Sequence, residues 1–202
     1  MKTLRSIKLP PIAKDMHMNV KAASGSGHLP AGEILWAALL AVAAIGGSLA
    51  FACITPFAAF AVIAAETQRP RAALGTMALI WAANQAVGYS LLDYPFDGHA
   101  ALWGAAIGVA ALLATAMASL VVARMAAAPR WARLAVAFAA AFAAYESLLL
   151  ALGIVTGELA TFAPGVVGDL ALLDAAWLAG LAIVQAGLSR LGWPAVGFRR
   201  PA

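Results

Sequence analysis

Charged residues are scarce in this chain. Asp, Glu, Lys and Arg make up 11% of its 202 residues, whereas a soluble domain carries about a quarter. Hydrophobic residues make up 64%, and no Asp, Glu, Lys, Arg or His occurs between Ile34 and Ala65. Apolar runs longer than about 18 residues are typical of membrane-spanning helices. The composition therefore excludes a soluble fold and predicts an all-α polytopic membrane protein.

Catalytic and metal-binding motifs are missing as well. Cys53 is the only cysteine, which excludes an intrachain disulfide and the paired-cysteine zinc sites. The sequence contains no Walker A loop, no GxSxG and no HExxH, so neither ATP hydrolysis nor the common hydrolytic chemistries are indicated. We expect a protein that is not an enzyme and that carries no cofactor.

The positive charges indicate a membrane surface rather than nucleic acid. The formal net charge is +4, but Lys and Arg form short clusters at the ends of apolar runs instead of following one helix face. Such clusters are typical of the cytoplasmic ends of membrane spans. The expected surroundings are therefore a lipid bilayer, and nucleic acid is not an expected partner.

The number of crossings depends on the first of five apolar blocks. The blocks are Ile34 to Ala65, Ala72 to Leu92, Ala100 to Ala123, Leu134 to Val155 and Val166 to Ser189. If the first block were one helix, the 13 Lys and Arg residues would be split between the two sides of the membrane. A turn near Cys53-Ile54-Thr55-Pro56 places all of them on one side, as the positive-inside rule favours. Pro56 also disfavours helix at Thr55 and suits the first turn of a new helix.

The predicted layout is six transmembrane helices with both termini in the cytoplasm, in the inner (plasma) membrane. Residues 1–33 are expected to form a cytoplasmic basic tail and flexible tether, residues 34–190 the membrane domain, and residues 191–202 a second basic tail. The second helix, Pro56 to Glu66, is only ~16 Å long. It must be shielded by its neighbours, tilted, or extended through Gln68, and is therefore short or partly re-entrant.

Four polar residues are predicted to share one layer of the membrane. Counted from the outer ends of their helices, Asn84, Gln85, Glu146 and Asp174 lie roughly 11 to 13 Å below the outer surface. No Lys or Arg lies in a span core to neutralise the two acids, so these either hold protons or attract a cation. One interpretation is a substrate-binding site for a cationic or hydrogen-bond-donating molecule, with Tyr145 beside it. The other is structural, because polar side chains also join neighbouring helices.

The connection Asp93-Tyr94-Pro95-Phe96-Asp97-Gly98-His99 is the densest polar and aromatic cluster of the sequence. Asp93, Tyr94 and His99 are candidate substrate contacts in a loop that closes over a ligand. The same composition is also typical of a plain turn. Cys53 is expected at the outer mouth, either as a soft-metal ligand or as a small hydrophobe.

This layout resembles the substrate-binding S components of energy-coupling factor (ECF) vitamin transporters. The resemblance covers residues 34–190 and consists of six helices, both termini inside, and a polar layer beneath the first, third and fifth loops. It implies uptake of a small cofactor-like substrate from the outer side. It also implies a partner, a membrane coupling protein driven by ATPases.

Several residues acquire an expected role from this resemblance alone. Thiamine-type members bind cations, which suits Glu146, and some cobalamin-binding members place a cysteine at the metal, as Cys53 would. Members of the family dock their partner through small residues of the first helix, which here would be Ala37, Ala41 and Gly46.

Two other classes of protein stay open. A non-catalytic structural or assembly subunit of a larger membrane complex would place Glu146 and Asp174 against a basic residue of a neighbouring protein, not in a cavity. An ion-coupled carrier working alone is the other class, although six helices without a visible inverted repeat disfavour it.

Overall fold

The computed structural model describes residues 31–50 and 55–193, and these contain six α-helices, one 3₁₀ turn and no strand. The all-α prediction is therefore confirmed. The helices are α1 (Ala31–Ala50), α2 (Phe57–Thr67), α3 (Pro70–Leu91), α4 (Gly98–Arg124), α5 (Arg130–Thr156) and α6 (Pro164–Arg190), and the 3₁₀ turn (Leu159–Phe162) lies between α5 and α6.

The first apolar block contains two helices, as the sequence predicted. α1 ends at Ala50 and α2 begins at Phe57, directly after Pro56. Because proline has no N–H, it cannot continue a preceding helix but fits at the start of the next. Cys53 lies outside the described residues, and so do most of the two predicted tails.

The short helix α2 is the centre of the bundle. All of its residues are buried, and it packs against α3, α4, α5 and α6. At 11 residues it is too short to cross about 30 Å of hydrocarbon. Shielding by neighbouring helices, one of the three predicted possibilities, is therefore observed.

Four helices are long and apolar enough to cross a membrane: Gly32–Leu49, Gly98–Arg124, Arg130–Thr156 and Pro164–Arg190. Their outer faces carry large apolar side chains such as Leu172 and Ile183, which are 72% and 73% exposed. A surface of this kind suits lipid rather than water. The chain is thus a multi-helix membrane protein, whereas the six crossings and the orientation of the termini stay predictions.

Small residues let the side chains of one helix reach the backbone of the next. A Cβ atom at Gly104 would lie 2.6 Å from Gln85 Oε1, and one at Gly108 would lie 2.7 Å from the Trp81 ring. These glycines of α4 therefore receive α3 side chains within the chain. On the predicted docking face of α1, Ala41 is buried in the core, while Gly46 faces open space.

The carboxyl end of α2 is held by a buried ion pair. Arg133 Nε donates to Glu66 Oε2 at 2.9 Å, and Arg133 Nη2 donates to Glu66 Oε1. The Glu66 side chain is 2% exposed. Trp36 Nε1 of α1 also donates to Thr67 Oγ1 at 2.9 Å. Both α5 and α1 are thereby attached to the same end of α2.

Candidate functional site

A cavity of about 530 Å³ lies at the opposite end of α2, where α2 begins and α3 ends. It is covered by the connection between α3 and α4 and by the connection between α5 and α6. The lining residues are Thr55, Phe57, Asn84, Gln85, Tyr94, Pro95, His99, Ala100, Trp103, Gly104, Ile107, Tyr145, Glu146, Leu149, Glu158, Thr161, Phe162, Leu170 and Asp174.

The structure brings nearly all of the predicted site residues to this cavity. The lining residues include the whole predicted polar layer, together with Tyr145, Tyr94 and His99. Asp93 is the exception, since it is exposed, does not line the cavity and adopts a positive φ of 53° at the end of α3. Asp93 therefore belongs to the turn. Substrate binding by the other residues stays a prediction.

Asp174 has a structural partner inside the cavity wall. Its Oδ1 accepts a hydrogen bond of 2.8 Å from the backbone N–H of Ala59, in the first turn of α2. The residue before α2 is Pro56, which supplies no side-chain cap. The first N–H groups of a helix need an acceptor from elsewhere, and the positive end of the helix dipole favours an anion. Asp174 supplies that acceptor from α6.

Glu146 is the carboxylate of the cavity that has no such partner. Within the described residues it makes neither an ion pair nor a hydrogen bond, although it lines the cavity beside Tyr145. The Tyr145 ring stacks on Phe57 with 5.8 Å between the ring centroids. An aromatic wall therefore stands next to a carboxylate that is available to a ligand.

The two amides of α3 differ in their contacts. Asn84 Oδ1 accepts hydrogen bonds from Ser48 Oγ at 2.9 Å and Thr55 Oγ1 at 2.6 Å. Asn84 thus joins α3 to α1 and to the start of α2, as the structural interpretation of the amides predicted. Its amide nitrogen donates to no atom of the described part of the chain. Gln85 likewise makes no hydrogen bond there, and its Oε1 lies over Gly104.

The indole of Trp103 is a feature of the site that sequence reasoning missed. Trp103 lines the cavity, and its Nε1 is buried without a hydrogen-bond partner among the described residues. An indole nitrogen can only donate, and buried donors almost always have an acceptor. The predicted cluster ended at His99, four residues before Trp103. Its position one turn after His99 on α4 was the signal that could have placed it in the site.

A contact between a histidine and a carboxylate lies at the mouth of the cavity. His99 Nε2 lies 3.1 Å from Glu158 Oε1, so the first turn of α4 is joined to the segment that follows α5. Both side chains are substantially exposed, as expected for groups at an opening. The neighbouring loop packs on the end of α3, since Phe96 stacks on Tyr89 with 4.9 Å between the ring centroids. The loop is thus partly a turn and partly a wall of the cavity.

Metal binding receives no support from the described residues, which contain no cluster of three His, Cys, Asp or Glu side chains that could hold an ion. Cys53 cannot be placed, because it lies in the gap between residues 50 and 55.

Comparison with protein-family models, curated proteins and solved structures finds no match for this chain. The fold and the cavity are therefore the observations from which a function can be argued.

Proposed function

We propose that this chain is a membrane-embedded uptake protein that binds a small, cationic, cofactor-like molecule from the outer side. The observation that carries the proposal is Glu146, a carboxylate that lines the cavity and makes no ion pair or hydrogen bond within the described residues. An ionisable group inside a membrane domain is costly and is retained where it has a partner or a function. A bound cation supplies the partner.

The charge of the residues that line the cavity also favours a cationic ligand. Glu146, Asp174 and Glu158 line the cavity, and no Lys or Arg of residues 31–50 or 55–193 does. His99 is the one potentially basic lining residue, and Glu158 already pairs with it. An anionic substrate would meet uncompensated carboxylates, whereas a cation is attracted by them.

The size and lining of the cavity further define the substrate. About 530 Å³ falls within the range of small-molecule sites, about 300–1,000 Å³. Phe57, Tyr145 and Trp103 line it, and aromatic faces favour planar and cationic groups. Trp103 Nε1 has no acceptor in the described part of the chain, so the substrate also carries a hydrogen-bond acceptor. A heteroaromatic cation with a polar substituent meets these requirements.

Transport across the membrane needs energy from elsewhere. The sequence has no nucleotide-binding motif, so an S-component-like role includes a membrane coupling protein driven by ATPases. A non-catalytic structural subunit is the competing function, and it requires Glu146 and Asp174 to face a basic residue of another protein. Both line a cavity formed by this chain itself, which favours the binding function.

The test is ligand-dependent thermal stabilisation of the purified full-length protein across a panel of organic cations and vitamins. We expect one cationic member to raise the melting temperature, and Glu146→Gln to weaken its binding at least about tenfold, the usual worth of a hydrogen bond to a charged group. The matched control is Asp169→Asn, an exposed acid of α6 outside the cavity. Stabilisation by no cation, or equal binding by Glu146→Gln, would refute the proposal.

A further inference from the structure

A second cavity, of about 410 Å³, lies at the other end of the bundle, between the first turns of α1 and α3. Its polar lining residues are Glu33, Gln68, Arg71 and Thr76, and the remainder is apolar or small. The first cavity shares none of these residues. A function of this second cavity is therefore independent of the uptake function proposed above.

Gln68 is an unpaired amide in the wall of this cavity. It is 2% exposed, and neither its Oε1 nor its Nε2 has a hydrogen-bond partner among the described residues. Glu33 Oε2 is also buried without a partner, while Glu33 Oε1 lies 4.0 Å from Arg69 Nε. Folded proteins rarely leave buried polar atoms without a hydrogen-bond partner. The wall thus offers a donor, an acceptor and an anionic oxygen to a ligand.

The cavity also has a positive side. Arg71 lines it and lies in the first turn of α3, which begins at Pro70. The first N–H groups of a helix have no acceptor within the helix, and they favour phosphate groups at this end. A carboxylate on α1 therefore faces a phosphate-favouring helix start on α3 across one small space.

The outer rim of the cavity is apolar. Ile34 and Leu79 line it and are 55% and 48% exposed. Arg69 and Arg71 mark this end of the helices as the interfacial region of the bilayer, where headgroups lie. A ligand bound here can place a polar head between Glu33 and Arg71 and an apolar chain along Ile34 and Leu79.

We propose that this cavity binds the headgroup of a phospholipid that carries a primary ammonium and a phosphodiester, the chemistry of phosphatidylethanolamine. Glu33 accepts from the ammonium, Arg71 and the start of α3 bind the phosphate, and the Gln68 amide turns toward the headgroup oxygens. A trimethylammonium headgroup has no N–H to donate to Glu33. An anionic glycerol headgroup has no cation for this carboxylate.

Native mass spectrometry of the delipidated full-length protein tests the proposal, with palmitoyl-oleoyl lipids of three headgroups. We expect phosphatidylethanolamine to bind about tenfold more tightly than phosphatidylcholine or phosphatidylglycerol, because only its ammonium can donate a charge-assisted hydrogen bond to Glu33. Glu33→Gln is expected to abolish the preference over phosphatidylglycerol, and Gln68→Leu to weaken phosphatidylethanolamine binding by about the same factor. Asp169→Asn, an exposed acid near the start of α6 that does not line this cavity, serves as the control that keeps the preference.

Four outcomes would overturn the proposal. Equal binding of the three lipids removes the headgroup selectivity, and an unchanged preference in both variants means that Gln68 and Glu33 meet only water. Soluble phosphoethanolamine binding as tightly as the lipid means a small-molecule site instead. A preference that occurs only when a second polypeptide copurifies assigns the cavity to a protein partner. None of these results bears on cation binding in the first cavity, whose readout is Glu146→Gln.

Discussion

The carboxylate of Asp174 and the backbone N–H of Ala59 are joined by a hydrogen bond of 2.8 Å, although the two residues belong to different helices, α6 and α2. This contact places a membrane-embedded acid at the start of a buried helix that has no cap of its own. The same acid lines the candidate substrate cavity. Asp174 therefore has two roles, capping the start of α2 and the proposed attraction of a cation. Two substitutions can distinguish these roles.

Asp174→Asn is expected to keep the fold and to weaken ligand binding. Asparagine caps helices about as well as aspartate does, so its carbonyl can still accept from Ala59, but the negative charge is lost. Asp174→Ala removes the acceptor as well and should lower stability by about 1–2 kcal/mol. Thermal unfolding measures the stability of each variant. Titration with the cation that stabilises the unsubstituted protein measures ligand binding. Equal stability of the two variants would contradict the capping role.

Trp103→Phe is expected to weaken ligand binding without destabilising the protein. The substitution keeps a ring in the wall and removes an N–H that has no partner, so only a ligand acceptor loses a hydrogen bond, worth about 0.5–1.5 kcal/mol. Trp81→Phe is the matched control, because Trp81 Nε1 donates to Gly104 O at 2.8 Å. That variant should lower the melting temperature. The role of Trp103 is contradicted if its substitution leaves affinity unchanged.

The buried pair of Glu66 and Arg133 is expected to be strongly coupled. Glu66→Gln leaves the Arg133 guanidinium without its carboxylate in a largely buried site, which typically costs about 3–5 kcal/mol. The double variant Glu66→Gln/Arg133→Gln should lose less stability than the sum of the single variants. Chemical denaturation of all four proteins measures the coupling. The pair of Glu33 and Arg69, whose closest atoms lie 4.0 Å apart and whose Arg69 side chain is 74% exposed, is the control and should show little coupling.

The predicted topology can be tested by labelling single cysteines. In a Cys53→Ser background, Asp93→Cys lies in the connection expected outside, and Ala127→Cys lies in the connection expected in the cytoplasm. Both positions are exposed. A membrane-impermeant maleimide should label intact cells at position 93 and reach position 127 only after the membrane is opened. The reverse pattern would invert the assigned orientation, and labelling of the unsubstituted background would invalidate the assay.

Much of the helical layout could be predicted because it depends on local chemistry. Pro56 cannot donate a backbone hydrogen bond, so a break in the first apolar block was expected, and α2 begins at Phe57. Counting residues from helix ends also placed Asn84, Glu146 and Asp174 at similar depths, and all three line one cavity. Depth along a helix follows from its rise per residue.

The rotation of each helix about its axis could not be predicted in the same way. The spans are so rich in alanine that no polar or bulky stripe marks an inner face, and packing decides which side turns inward. For this reason the sequence could not show that Asp174 would cap α2 or that Trp103 Nε1 would face inward. It also placed Asp93 among the substrate contacts, whereas Asp93 is exposed and does not line the cavity.

The sequence by itself determined that this is a helical membrane protein, because scarce charge and long apolar runs leave no other way to satisfy the backbone. It also determined where the helices break and that uncompensated acids lie within them. Only the tertiary structure decided which of these acids are paired. Asp174 lies against the start of α2, whereas Glu146 faces the cavity, since such contacts arise between helices that are distant in sequence.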